Sequence, residues 1–263
     1  MTFIESVIAF LISLFASVIG AICGIGGGVI IKPALDLFGV ADVSTVSFLS
    51  CCTVLAMCCY SVLRMLKSDV KINIKISTPL AIGASVGGVA GSLLFKAIKS
   101  MLDDPDAVGA AQAVCLAVIT AGTLVYTLFK SKISPLNITA VPISLLIGIF
   151  LGIVSSFLGI GGGPINLVVL FFFFGMETKT AAANSLYIIL FSQVANLITT
   201  LIGGAPQFEW HALLLMISGG IIGGVLGRFI NRKIQSKSVD RLFIALMSLI
   251  IIISIYNALK YSI

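Results

Sequence analysis

Gly24-Ile25-Gly26-Gly27-Gly28-Val29-Ile30-Ile31-Lys32-Pro33 puts four glycines, a lysine and a proline into a run that is otherwise apolar. A second copy, GIGGGPINLV, begins at Gly159. Consecutive glycines do not line one face of a helix. They interrupt it, because glycine weakens a helix interior and enters the left-handed region freely. Each copy therefore predicts a broken helix, and the residues around it decide which solvent the break sits in.

Those residues are lipid-soluble. Of 263 residues 59% are hydrophobic and only 10% charged, with mean hydropathy +1.20, where water-soluble domains carry about a quarter charged residues. Apolar runs of about twenty residues, the length that crosses a hydrocarbon core, recur from end to end. SLIIIISIYNAL and VVLFFFFG lack the polar stripe of a soluble helix, and continuous runs exclude the short alternation of a β-barrel. The first run, Phe3–Cys23, has no basic flank and flows into the glycine motif, so it reads as a mature span. The chain is predicted to be an all-α polytopic membrane protein, resident in the cell membrane. Its net charge of +6 lies in short loops between spans, which argues against a nucleic-acid partner.

Superposing the two glycine motifs shifts the chain by 135 residues, and Thr45 and Ser50 then fall on Thr180 and Ser185. Farther along the offset is 136, with Gly83, Gly87, Gly88 and Gly91 on Gly219, Gly223, Gly224 and Gly227. Two repeats are expected, 1–131 and 132–263, within one transmembrane domain. Each carries a long apolar helix, a break, a short apolar piece that either spans or re-enters, and three full spans. In the first half these are Phe3–Cys23, Val29–Phe38, Val43–Leu66, Ile76–Phe95 and Ala107–Phe129. In the second they are Ile138–Leu158, Pro164–Phe174, Thr180–Leu201, His211–Phe229 and Arg241–Leu259.

Basic loops mark the cytoplasmic side. RMLKSDVKINIK, KSKISPLN and RFINRKIQSKSVDR are basic, whereas KAIKSMLDDPDA has three acids against two lysines and GGAPQFEWH is not basic. The glycine-broken element of the first half then starts and finishes outside, and that of the second starts and finishes inside. The repeats are inverted. Such repeats place a substrate site near the bilayer midplane, between broken helices, where irregular backbone survives only if buried or lining a cavity. The helix after each break offers free N–H groups and a positive dipole end, which favour an anion.

Candidate substrate-binding residues follow from this picture. They are Gly24, Gly26, Gly27 and Gly28 in the first break and Gly159, Gly161, Gly162 and Gly163 in the second, with Lys32 and Asn166 just beyond. Ser50, Cys51, Asn184 and Ser185 lie on the polar faces of the helices that follow. Lys32 either holds the anion or pairs with Asp36 one turn on. The G-x-x-x-G-spaced Gly83/Gly87/Gly91 and Gly219/Gly223/Gly227 read as helix packing. The motif is neither a P-loop nor a dinucleotide fingerprint, and neither cofactor nor metal is expected. The six cysteines include no C-x-x-C pair and read as packed thiols, although the cysteine-rich third segment keeps a membrane-embedded thiol enzyme as an alternative. Asp36 and Glu177 are the candidates for coupling to a proton; sodium is the other coupling ion considered.

With GIGGGVIIKPAL and GIGGGPINLVVL, each followed by a Thr/Ser-rich helix (TVSFLS, TAAANS) and a glycine-zippered span, the chain resembles the TauE/SafE family of sulfite exporters and related permeases. The resemblance runs over nearly the whole chain. It implies transport of a small sulfur-containing or organic anion such as sulfite, thiosulfate or sulfoacetate, with an anion channel as the nearer alternative. Pro164 directly follows the second set of glycines, whereas Pro33 comes five residues after the first, so the two breaks need not act alike.

Overall fold

The computed structural model describes residues 3–39, 41–65, 72–101, 105–160 and 162–262. Most of the basic loop at 66–71, the acids at 103–104 and Gly161 fall outside them. The described residues form ten α-helices and a short 3-10 turn, with no strand among them. They are α1 (Phe3–Cys23), α2 (Gly28–Phe38), α3 (Val43–Met65), α4 (Ile74–Met101), α5 (Pro105–Phe129), α6 (Val141–Leu158), α7 (Pro164–Phe172), α8 (Thr178–Ile202), α9 (Trp210–Lys233) and α10 (Ser236–Ser262). Eight are long and apolar enough to cross a bilayer. The other two, α2 and α7, have 11 and 9 residues, or about 17 and 14 Å, half the hydrocarbon thickness. The protein is an integral, multi-pass membrane protein.

Glycine sets the helix ends at the two breaks. Gly24, at φ +80°, closes α1, and the N–H groups of Gly24 and Ile25 both return to Gly20 O. Gly159, at φ +65°, closes α6 in the same way on Ser155 and Ser156. These are left-handed helix caps. Gly27 (φ +74°) and Gly163 (φ +67°) then start α2 and α7, with Pro164 in the first turn, where its missing N–H costs nothing. The basic stretch 228–241, expected as a loop, is largely helical, because α9 continues to Lys233 and α10 already begins at Ser236. Lysine and arginine are good helix formers, so charge there does not end a helix.

Packing pairs the first helix of each half with the fourth of the other, α1 on α9 and α6 on α4. A methyl group added at Gly219, Gly223 or Gly227 would strike the backbone of Phe10, Leu14 or Val18. One added at Gly83, Gly87 or Gly91 would strike that of Leu145, Ile149 or Ile153. Both numberings rise together, so each pair is parallel, and the 135–136 offset carries one set of contacts onto the other. Thr53, Met57 and Ser61 of α3 follow Gly220, Gly224 and Arg228 of α9, also in parallel. Ser77 and Ser92 of α4 follow Asn184 and Asn196 of α8 likewise.

Two internally parallel sets result, α1/α3/α9 and α4/α6/α8. Eight residues separate α3 from α4, a reach of about 28 Å that cannot return α4 to the start of a roughly 34 Å helix. The two sets therefore run in opposite directions. Side chains such as Phe15, Val118, Leu146 and Ile252 point outward, as a lipid-facing surface requires. The interior instead buries many serines, threonines and amides.

Candidate functional site

The two breaks meet. A methyl group at Gly28 would come 2.5 Å from Ile160 O, and one at Gly163 would lie 3.6 Å from Val29 Cβ. Gly26 approaches both Val54 and Ile189, and Gly162 approaches Ile189 as well. Val54 and Ile189 sit near the midpoints of α3 and α8, so the irregular backbone lies halfway along the bundle. Left-handed glycines at Gly24, Gly26, Gly27, Gly159, Gly162 and Gly163 let two chain reversals touch there.

On the face where α3 begins and α8 ends, a cavity of about 520 Å³ descends to the second break. Ser47, Cys51, Ser92, Gln112, Ser156, Gly159 and Asn196 line it, with Asp42, Lys96 and Gly203 among the residues nearer the ends of α3, α4 and α8. Asp42 is engaged as the cap of α3, its Oδ2 accepting from the N–H groups of Ser44 and Thr45. The wall is thus rich in hydroxyl and amide groups, the donor type that recognises oxyanions. Lys96 is exposed.

Lys32 stands directly behind this wall. It is 4% exposed, and a methyl group at Gly159 would lie 3.0 Å from its Nζ. Nζ donates to Gln112 Oε1 at 2.6 Å and to Leu158 O at 2.8 Å; Gln112 Nε2 in turn donates to Phe157 O at 2.6 Å. Its hydrogen-bond partners are therefore the last turn of α6 and an amide of α5, and no ion pair with Asp36 forms. The i, i+4 pairing considered from sequence fails because α2 turns Lys32 toward α6 while the backbone after Asp36 meets Lys260 of α10.

The sequence-derived residues separate into groups. Cys51 and Gly159 line the cavity. Gly26, Gly28, Gly162 and Gly163 form the meeting point below it, with Asn166 2% exposed beside Gly162. Ser50 and Ser185 are buried away from the cavity wall. Gly24 and Asn184 lie toward the other end, where α8 begins. There Gly24 abuts the Ala182 backbone, and Asn184 Oδ1 accepts from Asn73 N–H and Ser77 Oγ at 2.8 and 2.5 Å. Lys130 and Thr178 close on Asp240 at that same end, at 2.6 and 2.9 Å. Sequence reading missed Gln112, Lys96, Ser92 and Ser156. Gln112 had a signal, as an amide within an apolar span.

If these glycines are needed for their backbone, alanine should damage function more than insertion. Left-handed alanine costs about 1–2 kcal/mol per site, and at Gly162 the methyl group would also lie 2.6 Å from Ile189 Cγ1. The double variant Gly27→Ala, Gly162→Ala is expected to reach the membrane but carry no labelled anion into vesicles. Normal flux would reduce both motifs to kinks.

Comparison with known proteins agrees with this architecture. The family described as Sulfite exporter TauE/SafE matches residues 9–254. The chain is 23% identical over 260 residues to the Probable membrane transporter protein YunE of Bacillus subtilis (strain 168), covering 89% of this chain and 91% of that one. A shorter stretch of 91 residues is 29% identical to the Sulfite exporter TauE/SafE family protein 5 of Arabidopsis thaliana, covering 35% of this chain and 20% of that one. Another, of 115 residues, is 29% identical to the Probable membrane transporter protein MamO of Magnetospirillum gryphiswaldense, covering 41% and 18%. No solved structure matches.

Proposed function

The chain belongs to the sulfite exporter TauE/SafE family, a membrane transporter family, and we propose that it is a secondary transporter of the cell membrane for a small sulfur-containing or organic anion. One observation carries the reading: a hydroxyl- and amide-lined cavity ends at the paired glycine breaks, with the Lys32 ammonium behind its wall. A buried cation is costly in a membrane interior and is kept where it meets a substrate or ion. The hydroxyl and amide lining suits an oxyanion such as sulfite, thiosulfate or sulfoacetate.

Alternating access is supported by the asymmetry of the two ends. The cavity approaches the centre from the side where α3 begins, while Gly24 against Ala182, the Asn184 bracket and the Lys130–Asp240–Thr178 cluster lie at the other end of α8. The two antiparallel helix sets, exchanged by the repeat offset, support two inverted repeats at 1–131 and 132–263. A channel would need both ends open together, and a thiol enzyme would need a base or cation beside its nucleophile, whereas the cavity thiol of Cys51 meets Gln193 O and the Asn196 amide. Transport without catalysis is the reading adopted.

The test is a thermal-shift screen against sulfite, sulfate, thiosulfate, sulfoacetate and short carboxylates, followed by uptake into reconstituted vesicles. At least one oxyanion should stabilise the protein and enter with saturable kinetics. Flux that stays linear with concentration would favour a channel, and neither stabilisation nor flux with any of these anions would overturn the proposal.

A further inference from the structure

Behind the anion cavity lies a second, much smaller chamber of about 20 Å³, room for one water-sized body. It lies between α2, α5, α6 and α10, and its wall includes Lys32, Asp36, Gln112, Ser254 and Asn257. Three of its oxygens have no hydrogen-bond partner in the protein: Asp36 Oδ1, Ser254 Oγ and Asn257 Oδ1. Ser254 is 0% and Asn257 2% exposed. Buried polar atoms are rarely left without partners, and three on one small chamber mark a place built for a polar guest.

The donor set identifies the guest. Lys32 uses two of its three N–H groups on Gln112 and Leu158. The Asn257 amide nitrogen is occupied, donating to Pro33 O at 3.0 Å, so its carbonyl oxygen is the group left over. A single water molecule there would receive hydrogen bonds from Lys32 and Ser254 and donate to Asp36 and Asn257, four partners in all. A metal cation fits poorly, because an ammonium group shares the chamber and hard cations take about six oxygens. A proton needs no such shell.

We propose that this chamber is the coupling-proton site of the transporter, with Asp36 as the proton carrier. The step is a simple protonation: the Asp36 carboxylate takes one proton from the aqueous face and becomes a neutral carboxyl, with no other bond made or broken. Asp36 is partly exposed in the last turn of α2, where its backbone carbonyl accepts from the exposed Lys260, whereas Glu177 is an exposed residue at the start of α8. The charges that act on Asp36 are Lys32 on its own helix and Lys260 from α10; α5 presents the neutral Gln112 to the chamber.

Charge balance couples this site to the anion. With Asp36 ionised, Lys32 and Asp36 together are neutral. With Asp36 protonated, the pair carries one net positive charge, beside the wall at Gly159. Gln112 borders both spaces, so the ammonium and the anion are separated by little more than that wall. An anion therefore favours protonation of Asp36, and protonation favours the anion by the same factor. Proton and anion should move together in one direction.

This inference rests on the transporter reading above, and the experiment separates the two. Vesicles containing the protein and a pH-sensitive dye are given thiosulfate or sulfoacetate, anions that do not themselves titrate near neutral pH. Wild-type protein should acidify the lumen as the anion enters. Asp36→Asn should still exchange labelled anion for unlabelled anion, yet lose about tenfold or more of the acidification. Anion entry without acidification, sodium-dependent entry, or undiminished acidification by Asp36→Asn would overturn the proton site and leave the transporter reading standing. Failure of every anion to enter would bring down both. If Asp36→Asn does not insert, Ser254→Ala decides: it keeps every charge but removes a hydrogen bond that would hold the water donating to the ionised carboxylate. It should raise the pH of half-maximal uptake by about half to one unit, and an unmoved profile would count against the proposal.

Discussion

Exchanging Lys32 for methionine is expected to weaken anion uptake by about 30-fold or more while leaving the protein inserted. Methionine keeps the length of the side chain but removes the charge behind Gly159, and leaves Gln112 Oε1 and Leu158 O without their donor. Removing one member of a buried, charged hydrogen-bond set costs about 2–5 kcal/mol, and its lower end corresponds to roughly 30-fold. Lys96→Met is the matched control, since Lys96 also lines the cavity but is exposed. An exposed charge contributes about 0–1 kcal/mol, so that variant should lose no more than about fivefold. Concentration-dependent uptake by the two variants measures both. The reverse ranking, a larger loss for Lys96→Met than for Lys32→Met, would mean that the anion is held near Lys96 and that Lys32 is structural.

The contrast between these lysines shows where sequence reading succeeded and where it stopped. Lys32 stood out because a cation four residues past a glycine break is costly in a span. Its partners did not, because Gln112 and Leu158 lie 80 and 126 residues away, and no local period reports such distances. The nearest opposite charge, Asp36, was the natural candidate and the wrong one. Lys96 was unremarkable as a lysine near the end of a span, where long basic side chains commonly reach the interface.

Helix boundaries were far more legible. Phe3–Cys23 and the starts of α3 and α7 agree residue for residue with expectation, because apolar span length and left-handed glycines act locally. Where charge flanks a span the apolar run underestimates the helix, as at α4 and α10, since polar side chains there extend the helix rather than end it. Asn184 illustrates a different limit. A polar residue on an apolar helix signals a partner, and only the fold reveals that its oxygen joins α8 to the start of α4.

The zipper glycines were read correctly as packing, but their partners come from the opposite half of the chain, and from this a sharp prediction follows. Gly87→Ala should be among the most damaging single substitutions in the protein, while Gly88→Ala, its immediate neighbour, should be nearly silent. Both are helical, so the intrinsic preference for alanine would stabilise each by up to about 1 kcal/mol. The surroundings decide the outcome. At Gly87 the added methyl group would overlap the Ile149 carbonyl and backbone of α6, atoms that cannot turn aside. At Gly88 it would meet Ser156 Oγ at 3.2 Å and Ser192 Oγ at 3.7 Å, and the nearer hydroxyl can rotate. Forcing α4 from α6 sacrifices contacts along the whole parallel seam, so the loss should reach or exceed the roughly 3 kcal/mol typical of severe overpacking. The same seam recurs at Gly223, where a methyl group would lie 2.5 Å from Leu14 O, so Gly223→Ala should match Gly87→Ala rather than Gly88→Ala. Membrane yield and melting temperature in detergent would rank the three variants. A Gly87→Ala protein as stable as Gly88→Ala would mean that α4 and α6 are not held backbone to backbone, and the interleaving of the two halves would have to be redrawn.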